Sequence, residues 1–463
     1  VVLSLLALLL AVILVYLLLP AYNNLIRMDL VFNLFSEFWI LPLLLLFSIL
    51  IGILSGSYPA FVLASFRPSV VLSSGKSSGR RGKGLLRDLL IVTQFTTTII
   101  ILLGTVVVNR QLTFMQNKDA GFGKENVLVV HRSDVLGQQI DAFKQEITTH
   151  SNVISAAYSS HIPSGGYWGN AHWLEGRGRD DIFNLAMYRC SYDFEKALDL
   201  ELVQGRFFSR DMPTDSTGVV VNEAALLMLG IEDPLNTRFV QPSFEGYADE
   251  FYPIIGVVKD FHFESMQNEI SPMAIHFMPG NQEGKIIIKL GNGNKPETIA
   301  YIQDKWEGIT AEHPFEYTWL DEEFGKMFDD ERKTGQLLTI FSILSIIVTC
   351  LGLLGLISYA TSQRRKEIGV RKIMGASIQV VMKLLSRETA ILLGVSAMLS
   401  IPAYFGVRAW LQKFAYHLNF HWAYYFLILI LVALFVLLLA VMTVSIHSYR
   451  AATANPVESL RYE

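Results

Sequence analysis

Six apolar runs punctuate the chain, and a long polar interval separates the third from the fourth. A helix needs about twenty residues to cross roughly 30 Å of hydrocarbon. Val1–Leu19, Phe38–Leu54, Leu89–Val108, Leu337–Tyr359, Glu388–Tyr404 and Tyr424–Ile446 approach that length, and they predict six membrane-spanning helices. Pro42, Gln94 and Thr96–Thr98 are short interruptions of the runs, which suits a packed bundle where hydroxyls and amides pair across helices.

Between residues 109 and 336 the period changes. Val127–Val130, Val219–Val221, Ile254–Val258 and Ile286–Leu290 read as strands, and Asp141–Thr149, Asn222–Leu229 and Pro296–Ile309 as helices. This pattern predicts an α+β domain, with Ser164-Gly165-Gly166 in an exposed loop. The membrane helices on either side carry their periodicity into it. Val108, Leu112 and Met115 continue a stripe towards Gly121, and Leu320, Phe324, Met327 and Phe328 form one ahead of the fourth run. The expectation is a domain on a two-helix stalk, each stalk helix moving as a rod with its membrane segment.

Composition agrees with a part-membrane, part-aqueous protein: 51% of the 463 residues are hydrophobic and 17% charged. The net charge of −4 gives no global argument for a nucleic-acid partner, so the basic residues matter by where they cluster. Arg67, Lys76, Arg80, Arg81, Lys83 and Arg87 fill one short loop, and Arg364, Arg365, Lys366, Arg371 and Lys372 another. Both loops are expected in the cytoplasm. Residues 20–37 and 405–423 hold few basic groups, with Trp39, Trp410 and Trp422 near the membrane edges, so they are expected outside together with 109–336. Both ends then lie inside. The first nineteen residues lack the basic start and small-residue cleavage site of a signal peptide and read as a span. Cys190 lies in the polar interval and Cys350 in an apolar run, so no intrachain disulfide is expected.

Candidate chemistry is sparse. Gly75-Lys76-Ser77 resembles the end of a phosphate loop, but Val70 stands where the earlier glycine is required. His417 and His421 have the i, i+4 spacing of a metal pair without a third ligand nearby, and they read as interfacial histidines. Asp260, His262 and Glu264 alternate at an expected strand end without a nucleophile motif, and they read as a solvated polar edge. No catalytic residue, metal site or ATP hydrolysis by this chain is expected. A gapless self-match joins Ala60–Leu72 (AFVLASFRPSVVL) to Ser448–Leu460 (SYRAATANPVESL), so the first two spans look like a copy of the last two.

Arg364–Ser377 (RRKEIGVRKIMGAS) carries the most information. Glu367 precedes Arg371 by one helical turn, Val370, Ile373 and Met374 form a small apolar face, and Gly375 can end the helix before Ser377 caps the next. It predicts a short amphipathic helix under the membrane, and by composition alone it reads as a basic anchor on anionic headgroups.

Here the chain resembles the permease subunits of FtsX/MacB-type ABC transporters, whose cytoplasmic coupling helix reads close to RxKEIGIRKxxGAS. Arg364, Lys366, Glu367, Ile368, Gly369, Arg371, Lys372, Gly375, Ala376 and Ser377 match, and Val370 departs conservatively. Ala454–Glu463 (ANPVESLRYE) is similar to the family's usual ending, and Ser57-Tyr58-Pro59-Ala60 with Phe66-Arg67-Pro68 to the junction of duplicated members. The resemblance implies an inner-membrane subunit that contacts a separate ABC ATPase dimer through these residues, with ATP and Mg on that partner. It implies transmission of the ATPase cycle to a MacB-like periplasmic core domain acting on a peptide, lipoprotein, antibiotic or other envelope substrate. A membrane-anchored scaffold recruiting or activating an envelope enzyme is the alternative. A duplicated member would carry an earlier outer domain and a second coupling helix, so this chain is expected to lack such an N-terminal part.

The resulting parse is two membrane helices in 1–60, a basic cytoplasmic linker in 61–88, a membrane helix and stalk in 89–121 and the extracytoplasmic α+β domain in 122–320. Stalk and membrane helix follow in 321–360, the coupling helix in 361–377, two membrane helices in 378–446 and a cytoplasmic tail in 447–463.

Overall fold

The computed structural model describes residues 1–26, 28–33, 38–64, 85–164, 166–242, 249–278, 284–363 and 378–453. The chain begins with α1 (Val2–Ile26), α2 (Ile40–Ala64) and α3 (Leu85–Asn117). The middle runs β1 (Val127–Val130), α4 (Ile140–Ile147), β2 (Val153–Ser159), β3 (Trp168–Leu174), β4 (Phe183–Cys190), α5 (Phe194–Ala197), β5 (Leu202–Gly205), β6 (Val219–Asn222) and α6 (Glu223–Leu229). It continues with β7 (Arg238–Gln241), β8 (Glu250–Val258), β9 (Met273–Phe277), β10 (Lys285–Leu290), α7 (Lys295–Ile309), β11 (Tyr317–Trp319) and α8 (Leu320–Lys326). Then come α9 (Asp329–Gln363), α10 (Ile378–Leu399), α11 (Ala403–Leu411) and α12 (Trp422–Thr453). Two compact units divide these elements, one of residues 1–98, 344–398 and 436–463, the other of 99–343 and 399–435.

By length and composition α1, α2, α3, α9 and α12 can each cross a membrane, and the bent pair α10–α11 makes a sixth candidate if taken as one span. The uninterrupted run expected over Glu388–Tyr404 is therefore corrected, because the helix breaks between Leu399 and Ala403 with a bend of 43°. Pro402 explains the break: it has no N–H to donate, and its ring would collide with the carbonyl one turn back. In the first unit the expected pairing of polar groups between helices is present. Thr98 Oγ1 lies 2.7 Å from Ser345 Oγ and 2.9 Å from Thr349 Oγ1, and Ser396 Oγ donates to the Val92 carbonyl at 3.1 Å. Gly352 leaves room for Gln94, since a Cβ there would come within 2.8 Å of its Oε1.

In the second unit the strands pair in the order β11-β1-β10-β2-β4-β3-β7-β8-β6-β9, and a further β4–β9 pairing closes the last six into a ring. Pairs β4–β9 and β6–β8 are parallel, the remaining ring pairs antiparallel. Beyond the ring, β2, β10, β1 and β11 extend the sheet, with apolar residues on both faces. Val127, Val129, Ala157 and Ile287 face the main core, while Leu128, Val130, Tyr158, Ile286 and Ile288 pack with Phe143 of α4 and Ile302 and Trp306 of α7. Burial on both faces is why β1 and β10 read as continuous apolar runs. The ring encloses Leu174, Leu185, Val219, Val221, Phe239, Ile254 and Val257.

The expected strands fall within β1, β6, β8 and β10, and the expected helices coincide with α4, α6 and α7 to within two residues. Two expectations fail at the edges. Residues 260–264 do not continue β8, which ends at Val258. The stripe Leu320–Phe328 is not one rod with the next helix: α8 stops at Lys326, Met327 and Phe328 form a turn, and α9 starts at Asp329. Asp329, Asp330 and Glu331 account for the restart, since carboxylates are favoured in a helix's first turn.

Candidate functional site at the base of the α+β domain

All the residues assigned to ATPase contact, Arg364 to Ser377, lie outside the described residues. What the structure does describe is how the second unit joins helix to domain. The C-terminal turns of α3 are part of the domain's own hydrophobic core: Leu112 and Met115 belong to the same buried cluster as Phe122, Phe261, Phe263, Phe324 and Phe328. A helix end packed this way cannot swivel without breaking the core, because interiors are close-packed and resist deformation.

The exit from α3 is tightly specified. Gly121 has φ +77, and the Asp119 carboxylate accepts a hydrogen bond from its N–H at 3.0 Å. A Cβ at Gly121 would stand 2.6 Å from the Asp260 carbonyl oxygen, so only glycine suits both the dihedral and the close approach. The His262 N–H then donates to the Ala120 carbonyl at 2.8 Å, which lays the segment after β8 against the exit.

The loop between α11 and α12 docks on the same place. Gln111, 1% exposed, grips it with both ends of its amide: Nε2 donates to the Tyr416 carbonyl at 2.8 Å, and the Leu418 N–H donates to Oε1 at 3.0 Å. The Ala415 N–H donates to the Gln267 carbonyl at 2.8 Å, and the Gln267 side chain donates to the Glu331 carboxylate at the start of α9. Phe414 enters the domain core, and Trp410 and Tyr416 pack against it. Tyr416 also takes the Lys118 ammonium 3.3 Å from its ring centre and the His262 ring edge-on at 4.6 Å. Burial, assisted by the Lys118 charge, lowers the His262 pKa to about 4, so the imidazole is neutral at physiological pH. Burial likewise lowers the pKa of Lys118 and raises that of Tyr416. Helix end, helix start and returning loop are thus locked into one joint.

The remaining sequence candidates do not converge. Asp260 accepts the Ala224 N–H at 2.9 Å at the start of α6, while Glu264 accepts from the backbone and hydroxyl of Ser271. With His262 directed at Tyr416, the three make no catalytic cluster. His417 and His421 sit in an irregular loop, so the helical spacing that would bring them together on one face is not realised. Among the described residues no group of three metal-ligating side chains occurs. Sequence reasoning missed Gln111, Gln267, Glu331 and Tyr416. Gln111 did carry a signal: it occupies the i+3 position of the apolar stripe Val108, Leu112, Met115, where an amide is costly unless paired.

Five long apolar helices make this a membrane protein, and the joint gives it an α+β domain rooted in the end of one of them. Residues 339–456, roughly a quarter of the chain, match the family model for the FtsX-like permease C-terminal region. Among solved structures, the chain is similar to the periplasmic region of MacB from Actinobacillus actinomycetemcomitans at 14% identity, covering 44% of this chain and 93% of that one with a TM-score of 0.33. It is also similar to a domain of a protein described as a permease from Porphyromonas gingivalis, at 18% identity, 43% and 92% coverage and TM-score 0.32. A third similarity is to the extracellular domain of the ABC-type transporter YknZ from Gram-positive bacteria, at 11% identity, 45% and 93% coverage and TM-score 0.27. No curated protein matches the chain.

Proposed function

We propose that this chain is the membrane subunit of an ABC transporter, passing the cycle of a separate ATPase to an α+β domain outside the membrane. The observation that carries the reading is the FtsX-like match over residues 339–456, which spans RRKEIGVRKIMGAS. In this reading the chain crosses the inner membrane six times with both ends inside, and Arg364–Ser377 is the coupling helix. ATP and Mg belong to the partner.

The joint at the domain base supplies the mechanical part. With Leu112 and Met115 in the domain core and Gln111 holding the 415–418 loop, a shift of α3 along its axis moves the domain base instead of dissipating in a linker. The work is done on a peptide, lipoprotein, antibiotic or other envelope substrate.

Affinity purification of the full chain from its own cells tests the assignment. An ABC ATPase subunit is expected to co-purify and to be lost from Glu367→Ala and Gly369→Leu variants that still reach the membrane. Unchanged recovery with both variants would contradict the assigned contact.

A further inference from the structure

One cavity in the second unit lies next to the joint and shares with it the loop that Gln111 grips. It measures about 330 Å³ and lies among Tyr404 and Arg408 of α11, the loop residues His417, Asn419 and Phe420, and Trp422, which opens α12. That is within the size range of small-ligand pockets.

Its walls are of two kinds. One is aromatic: Tyr404 stacks on Trp422 at 3.7 Å and 20°, and lies nearly parallel to Phe420 at 6.0 Å. The other is polar and cationic, formed by Arg408, Gln412, His417, Asn419 and His421. The Arg408, Gln412 and Asn419 side chains have no hydrogen bond or ion pair among the described residues. No carboxylate lines the cavity, and residues 399–435 contain Arg408 and Lys413 but neither Asp nor Glu. An uncompensated guanidinium beside two amides favours an anion that accepts several hydrogen bonds, and phosphate geometry suits its fork.

Location selects the anion's carrier. Trp422 begins a stretch of 24 residues long and apolar enough to cross a membrane, which would put the cavity at the boundary of hydrocarbon and water. Phe405, Trp422 and Phe426 are exposed beside it, giving acyl chains an apolar surface to follow from the polar wall. We propose that this cavity binds the phosphate headgroup of an anionic phospholipid, with Arg408 on the phosphate, Gln412 and Asn419 on its oxygens or the glycerol, and the Tyr404–Trp422 stack against the glycerol backbone. The site stands on its own and does not depend on the transmission reading.

Native mass spectrometry of the full chain in detergent tests it, with phosphatidylglycerol and phosphatidylcholine of identical acyl chains. Retention of phosphatidylglycerol over phosphatidylcholine by about fivefold or more is expected, as for a charge-assisted contact. Arg408→Gln and, from the loop part of the same polar wall, Asn419→Leu should each abolish most of that preference, while Lys413→Gln, whose side chain lies outside the cavity, should leave it. Arg408→Lys should restore part of it. Equal retention of both lipids by the wild type, undiminished preference in Arg408→Gln, or equal loss in Lys413→Gln would overturn the proposal. Displacement of phosphatidylglycerol by equimolar inorganic phosphate would overturn the lipid assignment in favour of a free-anion site.

Discussion

Acidification should weaken the α+β domain through a pair of histidines that the fold buries without charge. His172 on β3 and His276 on β9 stack at 5.7 Å and 26°, with Tyr252 edge-on to His276 at 4.7 Å, Phe239 beside His172, and Arg189 opposite His276 in the β4–β9 register. The His172 Nδ1–H donates to the Asn170 carbonyl, while Nε2 of each ring is buried without a partner among the described residues. Burial lowers the His172 pKa to about 4, and burial with the neighbouring His172 and Arg189 lowers that of His276 to about 3. Both folded values lie below the unfolded value of 6.5, so the unfolded chain binds more protons and stability falls as pH drops through 6.5 towards 4. Going from about pH 7.5 to about pH 5 costs about 2 kcal/mol per histidine, about 4 for the pair, a large part of an ordinary domain's margin. Hydrogen exchange of β3 and β9 amides in the detergent-solubilised full chain reads this directly. After correction for intrinsic rates, protection should fall about a hundredfold or more over that range. His276→Phe should remove roughly half of the pH dependence in free-energy terms. Protection unchanged with pH, or an undiminished pH dependence in the variant, would refute the reasoning.

Two further perturbations address the joint. Gln111→Leu leaves the half-buried Tyr416 carbonyl and Leu418 N–H without their partner, at about 1 kcal/mol each, so residues 412–421 should exchange faster while β1 and β10 do not change. Gly121→Ala puts a Cβ against the Asp260 carbonyl at a positive φ and should lower thermal stability by about 2 kcal/mol or more, whereas Gly137→Ala, where a Cβ meets nothing within 4 Å, should cost only the backbone strain. Differential scanning fluorimetry of the two variants side by side separates collision from strain.

How much of this could be read from the sequence follows from the range of the forces involved. Apolar runs report burial in lipid or core directly, so the long helices and the doubly buried strands β1 and β10 stand out in the sequence. Strands whose pairing is decided far away do not: β3 (WGNAHWL) passes from exposed to buried along its length, and β5 (LVQG) is mostly exposed, so neither shows a clean period. The restart of α9 was written in Asp329-Asp330-Glu331 but concealed by the apolar positions on either side. The joint depends on contacts such as Gln111 with Tyr416, 305 residues apart, and only the misplaced amide hinted at it. Pro402, which breaks the penultimate membrane segment, was visible as a residue and outweighed by the hydropathy around it.

The central claim is that ATPase motion reaches the domain base through α3 and the joint. Its most direct test is hydrogen exchange on the full chain reconstituted with its ATPase, comparing the nucleotide-free state with ATP trapped on a hydrolysis-deficient ATPase. The account predicts that ATP changes exchange in residues 412–421 and 259–271, and that Glu367→Ala in the permease abolishes the change. Identical exchange in those segments with and without ATP, in a complex shown to be assembled, would contradict it.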